Sequence, residues 1–530
     1  FGSRFSSPAA AMVLWAARSV QWRPCLVGAR TYVDSLNRRM VIKSIQSAQE
    51  VLQHFEGRPN TDTPTLEGML KQLGTVTKPA EVQHLLQDER FHKLLVSLES
   101  RFENMDADTL ARVGTAMARL RGSSPEVTDF ARRLAEAVVS RENAFNPRCL
   151  GRLAVSLSSR HIKDPTLVDF MTLEAKKQMA YFEPTDCIAL LEAISRWRMF
   201  NRELVEMLHE QMVDTIDRFT ARDIVSAVRV MSEIQLARGF LLSRISRLAF
   251  ENLHQFEATH MVTLIYAMHR LRFLSQSNLD DCMRLLEAEL ATLAPSYCTQ
   301  LLLVLASMDS EYDKTHAALV EKVADNLDTL NLTSMVELCW AITAKRDRES
   351  KGILAQALEA VYAQKPPRNP ASLQRMLEVM TDVELEWGDL GVTVPDTWRS
   401  AAEESERLAA EKSDVSRLHA TLQQLLDELR PEPGTAWQTE VLFQRNLKLG
   451  PYYVEFVDKT NGICFEIDHV GRYASNVMRH RHLNMMPPPE TFGCEKLAVA
   501  NLGYWKWNHA SDKADQMLVL KQLLAGALAQ

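Results

Sequence analysis

The stretch Phe219-Thr-Ala-Arg-Asp-Ile-Val-Ser-Ala-Val-Arg-Val-Met231 decides the fold. Apolar residues follow Phe219 at offsets of five, nine and twelve: Ile224, Val228 and Met231. Steps of four and three place them on one face of a helix. The pattern recurs. Phe145, Phe182, Phe219, Phe256, Leu293 and Leu330 are spaced 37 residues apart without a slip. Offset five holds Leu150, Cys187, Ile224, Met261, Cys298 and Met335; offset nine holds Ala154, Leu191, Val228, Ile265, Leu302 and Cys339; offset twelve holds Leu157, Ile194, Met231, Met268, Leu305 and Ile342. Pro147, Pro184, Ala221, Ala258 and Pro295 sit two after their anchors, which suits a first helical turn.

Each unit then breaks at a polar segment such as His161-Ile-Lys-Asp-Pro165, and a second amphipathic stretch follows, such as Leu204–Met212. The unit reads as helix–turn–helix. One such pair cannot bury its apolar face alone, whereas stacked pairs form a continuous core. Weaker copies surround Leu66, Leu110 and Leu373. The fold class expected is mainly α, with an α-solenoid of 37-residue helix-turn-helix repeats over residues 45–385.

Composition agrees. Across 530 residues, 46% are apolar and 24% charged, with only 19 glycines and 20 prolines, which excludes a disordered or collagen-like chain. The longest apolar runs, such as Leu301–Ala306, fall far short of the roughly 20 residues a spanning helix needs, so no membrane insertion is expected. The eight cysteines include no CxxC pair, which argues against a zinc ribbon. Net charge is −7, and residues 381–430 account for it with 12 acids against 5 bases. The rest is balanced, so a basic footprint for nucleic acid has to be local. Residues 386–434 read as a charged helical linker, broken at Pro431-Glu-Pro-Gly434. The first 33 residues carry Arg4, Arg18, Arg23 and Arg30 and no acid, the pattern of a mitochondrial presequence. The location expected is the mitochondrial matrix, with a plastid as the alternative.

Beyond residue 435 the period changes. Tyr453–Val457 and Ile463–Ile467 alternate on either side of Asn461-Gly462, a strong hairpin signal. A basic segment follows at Asn476-Val-Met-Arg-His-Arg-His-Leu483, then a strand-like run at Leu497–Leu502, Tyr504-Trp-Lys-Trp507, and a last helix from about Ser511. Glu466-Ile-Asp468, the Arg479-x-Arg481-x-Leu483 helix and the closing Trp507 together resemble the RAP domain, a module at the C-terminus of organellar RNA-metabolism proteins. His469 and Arg472 stand where that family usually has glycine and histidine, and Met485–Thr491 lengthens the approach to the last strand.

The resemblance implies a small α/β, restriction-endonuclease-like domain at 435–530. With helical repeats upstream, the layout is similar to octotricopeptide, heptatricopeptide and FAST-kinase-like proteins. It implies an organellar RNA-binding protein acting in rRNA or mRNA processing, stability or mitoribosome assembly. Its partners would be organellar RNA (rRNA or mRNA) and mitoribosomal proteins.

Candidate RNA contacts are Arg152 at the variable offset seven (with Ala189, Ser226, Thr263, Gln300 and Glu337 in the other units), and Arg196, Arg198, Arg270 and Arg272 near first-helix ends. In the C-terminal module they are Arg472, Arg479, Arg481, Tyr504 and Trp505, as phosphate partners and stacking surfaces. Two alternatives remain. If the module is a nuclease, Asp458, Glu466 and Asp468 would hold Mg²⁺ and cut RNA. No lysine follows Asp468 at the next alternate position, Val470, and binding without catalysis or cofactor is the favoured reading. The other alternative is a protein scaffold that never touches RNA.

Overall fold

A computed structural model describes residues 40–57, 61–120, 122–199, 201–308, 311–388, 390–414, 417–429, 442–468, 477–503, 507 and 512–528. The expected presequence lies outside them. The described residues are mainly helical, with a four-stranded sheet near the C-terminus. None of their helices is long and apolar enough to cross a membrane. The chain divides into two compact units, one ending at Asp223 and the other beginning at Ile224.

The period read from the sequence is the period of the helices. First helices begin at Pro147, Pro184, Ala221, Ala258, Pro295 and Leu332. Second helices begin at Pro165, Arg202, Gly239, Gln276 and Asp313. Local chemistry starts them: Asn146 and Asn331 accept from the backbone N–H groups of Cys149 and Ser334, and Asn201 does so for Leu204. Thr220 and Asp223 form a reciprocal capping box. Every residue at offsets five, nine and twelve is buried, as are the six anchors. Each such leucine or phenylalanine contributes about 1.5–3 kcal/mol by leaving water.

A feature that the apolar spacing does not signal is a 3₁₀ turn before most anchors. Phe182, Phe219, Phe256 and Leu330 each donate their N–H to the carbonyl three residues back, closing these turns. Second helices also reach back to the anchor of their own repeat. Gln178 donates to the Phe145 carbonyl and Gln211 to that of Phe182.

In the first unit, helices Thr63–Val76, Ala107–Arg119, Pro147–Ser159 and Pro184–Trp197 pack each against the next. In the second, Ala258–Arg270, Pro295–Ser307, Leu332–Lys345 and Pro370–Asp382 do the same, and Asp396–Asp414 packs on the last of these.

The C-terminal sheet has order β1-β2-β3-β4, comprising Phe443–Leu449, Tyr452–Asp458, Ile463–Asp468 and Ala498–Gly503. β1–β2 and β2–β3 are antiparallel and β3–β4 is parallel, with Asp458 opposite Ile463 and Glu466 opposite Asn501. The Asn461-Gly462 hairpin forms as expected, with Gly462 at φ +68°. A Cβ there would meet Cys494 Sγ at 2.5 Å. Helix Val477–Met485 lies between β3 and β4 in sequence, and Lys513–Leu528 follows β4. β1 lies outside the expected strands: Arg445 interrupts the apolar alternation of Phe443, Leu447 and Leu449 that would have revealed it.

The charged stretch read as a linker is not merely solvated. Trp398 and Ala402 are fully buried, and Trp398 donates to the Gln364 carbonyl. Leu422, Leu425 and Leu426 share one apolar core with Phe456, Phe465, Ile467, Trp507 and Leu524. Asp396, Glu404, Glu411, Asp427 and Glu428 are exposed while Glu406 is buried, so a count of charges hid the apolar stripe.

Candidate nucleic-acid interface

A first helix must stop where the chain turns toward its partner, and in this protein it stops on a left-handed residue. His161, Arg198, Gln235, Arg272 and Arg346 all have φ between 52° and 57°. Consecutive members are 37 residues apart, except that Arg346 lies two periods beyond Arg272. Arg198 and Arg346 close their helices directly, each donating its N–H to carbonyls of the last turn. Glycine is the residue this conformation favours, and any other side chain costs about 1–2 kcal/mol. None of the five positions is glycine, and three are arginine. Strain retained at a repeated place points to a use for the side chain.

Two successive corners meet in the first unit. His161 and Lys163 from one repeat, with Ser195, Arg196, Trp197 and Arg198 from the next, line a surface cavity of about 420 Å³. His161, Lys163, Arg196 and Arg198 are exposed. Trp197 is buried and forms the floor, its indole N–H donated to the Ile162 carbonyl at 2.7 Å. That bond ties the two corners together. Arg196 pairs with Glu192 at 2.6 Å. Among the described residues no carboxylate lines the cavity. Three guanidinium or ammonium groups converge on an open concavity with a rigid base, a geometry suited to phosphate.

The other candidates divide. Arg152 is half-buried on its first helix, and the side chains at offset seven are mostly half-buried too. Glu337 is the exception: buried, it pairs with Arg375 at 3.0 Å and accepts from the Tyr266 hydroxyl, so it faces no groove. Arg270 and Arg272 are half-buried, with the Arg270 guanidinium 5.8 Å from the Tyr266 ring. Arg472, Tyr504 and Trp505, and the side chain of Asp468, lie outside the described residues.

The basic helix Val477–Met485 is not a presented surface. Arg479 is 1% exposed, its guanidinium held by Glu406 and Glu466 and 4.8 Å from the Tyr452 ring. Arg481 pairs with Asp382 and donates to the carbonyls of Thr343 and Ala344. His482 is fully buried, bonded to the Tyr452 hydroxyl at 2.6 Å and to Asp382 at 3.0 Å. A polynucleotide cannot reach Arg479 without opening the core, whereas the Arg481 side chain stays partly exposed beside Asp382. The sequence could not show this, because Asp382 and Glu406 lie 99 and 73 residues away from their arginines.

Burial sets the protonation here. Burial pushes the Asp382 carboxyl up, but the His482 hydrogen bond, the Arg481 charge and the Trp387 indole outweigh it and hold it below the usual value. Glu378 goes the other way. Burial raises it to about 7, against the opposing pull of the Trp340 indole N–H on its carboxylate.

Of the three acids of the nuclease alternative, Asp458 and Glu466 are described, and both are engaged by the fold. Asp458 is buried and holds the hairpin, accepting from Thr460 N–H at 3.0 Å and from the Asn461 side chain at 2.5 Å. Glu466 is buried against Arg479. No group of three His, Cys, Asp or Glu among the described residues is placed to hold a metal ion.

His161 and Lys163 were missed as site residues because they read as a polar break. The signal that would have found them is the 37-residue spacing of His161 and Arg198.

Residues 87–346 match the family model of the RNA-editing substrate-binding complex 6 protein. The match takes in the basic cavity and the repeats around it, and stops before the sheet. No curated protein matches the chain.

Proposed function

We propose that this chain is an RNA-binding component of a mitochondrial RNA-processing assembly, gripping single-stranded RNA at the left-handed corners of its helical repeats. The observation that carries this is the cavity of Lys163, Arg196 and Arg198 over the Trp197 floor. It supplies the local basic footprint that a net charge of −7 conceals. The matched family takes its name from a complex that binds RNA-editing substrates, and the match spans this cavity. Holding a transcript within a larger protein complex, for editing, processing, stability or ribosome assembly, is the role that fits both. The C-terminal sheet is a RAP-like module on this reading. Its described arginines hold it together, and an RNA contact from it would have to come from Arg472, Tyr504 or Trp505. Asp458 and Glu466 lend the nuclease alternative no support.

The test is titration of the full chain with fluorescein-labelled oligouridylate across a salt series. Affinity is expected to fall steeply with salt, by about 0.7 log units per log unit of salt for each phosphate neutralised. Lys163→Glu with Arg198→Glu is expected to weaken binding at least about tenfold and to flatten that slope. A wild-type chain with no affinity for RNA in dilute buffer, or a double variant that binds as well as the parent, defeats the proposal.

A further inference from the structure

The corner at Arg346 repeats the geometry of the corner at Arg198, with one addition. Helix Leu332–Lys345 ends on Arg346 at φ 54°, as Pro184–Trp197 ends on Arg198 at φ 52°. Two residues on, Arg348 adds a second guanidinium, 4.4 Å from the Trp387 ring. Between the two cations stands a carboxylate. Glu386 Oε1 pairs with Arg346 at 2.5 Å and Glu386 Oε2 with Arg348 at 3.4 Å. The Glu386 side chain is only 10% exposed, whereas Arg346 and Arg348 are each nearly half exposed.

A built turn delivers this carboxylate. Residues Val383–Trp387 form a π-helical turn after helix Pro370–Asp382, and such turns occur often at functional sites. Trp387 is buried, and its indole N–H is donated to Asp382 at 2.8 Å. Gly388 ends the turn at φ 63°, ψ −150°, a conformation essentially restricted to glycine. The anchoring fixes Glu386 before any ligand arrives. One anion with an oxygen on each of two guanidiniums is how two arginines hold a phosphodiester.

We infer that the Arg346–Arg348 corner is a phosphate site closed from within, Glu386 occupying the place of an RNA phosphate. This rests on the RNA-binding reading above and adds a second, self-occupied site to it. The Lys163–Arg196–Arg198 cavity is open, and the Arg346–Arg348 corner is filled. The acidic stopper keeps phosphate out of the corner, because like charges exclude each other from one site.

Two variants test it, using the full chain and fluorescein-labelled oligouridylate. Glu386→Gln removes the stopper charge. It is expected to tighten binding several-fold at low salt and to steepen the salt slope by about 0.7, for the one phosphate the corner takes. Arg346→Gln with Arg348→Gln is expected to leave affinity unchanged in the native background and to cancel the gain in the Glu386→Gln background. The arginine variant in the native background carries the test even if Glu386→Gln disturbs the turn, which thermal unfolding would reveal. A folded Glu386→Gln protein that binds as the parent does, or a loss of affinity on removing the arginines alone, overturns this inference and leaves the proposed function standing. No binding by either protein overturns both.

Discussion

At Arg198 a guanidinium stands exposed on the end of a helix, with Lys163 and Arg196 for neighbours. At Arg479 another is 1% exposed between two carboxylates. The first sits where backbone strain is tolerated and no acid among the described residues lines the cavity. The second sits where any unpaired charge would carry a large desolvation cost. The comparison teaches that a basic residue's use depends on which carboxylates the fold brings to it. The Arg-His-Arg-His tract at 479–482 is the denser cluster in sequence, yet Asp382, Glu406 and Glu466 consume it. The sparser Lys163 and Arg198 remain available.

The largest expected effect tests the buried side. Arg479→Ala leaves Glu406 and Glu466 facing each other without their shared cation and should cost about 3–5 kcal/mol. Denaturant unfolding measures it, and a loss near zero would show that Arg479 is not the keystone described.

Next comes the pH response of the same core. Glu378 titrates near 7 when folded and near 4.5 when unfolded, so between these values the folded chain holds a proton the unfolded chain has shed. Stability therefore falls as pH rises through that window, by on the order of 3 kcal/mol in full. Glu378→Gln keeps an acceptor for the Trp340 indole and should abolish that fall. Asp382 has the opposite sign. Its folded value lies below 3.8, so its contribution is present above that pH and is lost as pH drops through the lowered folded value. Melting temperatures against pH for Glu378→Gln and Asp382→Asn separate the two, and a parent curve flat from pH 4.5 to 7 would contradict the Glu378 assignment.

The smallest effect tests the exposed side most sharply. Arg198→Gly places the residue that suits φ 52° at that corner and should leave folding stability unchanged or raise it by about 1 kcal/mol. The same change should weaken oligouridylate binding. Stability and affinity moving down together would mean that Arg198 serves the fold and not a ligand.

Much of the fold is legible in residue spacing alone. The offsets of five, nine and twelve name core residues that are all buried, since a period of 3.6 admits one solution for which side chains share a face. Asn461-Gly462 announces its hairpin because few dipeptides accept such a turn. β1 is not legible, because Arg445 interrupts the apolar alternation of Phe443, Leu447 and Leu449. Nor is the burial of Trp398, whose apolar neighbours are diluted by acids along the sequence.

By itself, the sequence determined the repeat length, the helix faces, the hairpin and the residues that fill the core, because these depend on spacings within one turn or one strand. The tertiary structure alone decided which charges are available. Ion pairs such as Arg481–Asp382 and Arg346–Glu386 join residues 99 and 40 positions apart, and a left-handed corner becomes a cavity only when the next repeat lies against it. Electrostatic energy depends on distance and solvent exposure in space, and spacing along the chain encodes neither.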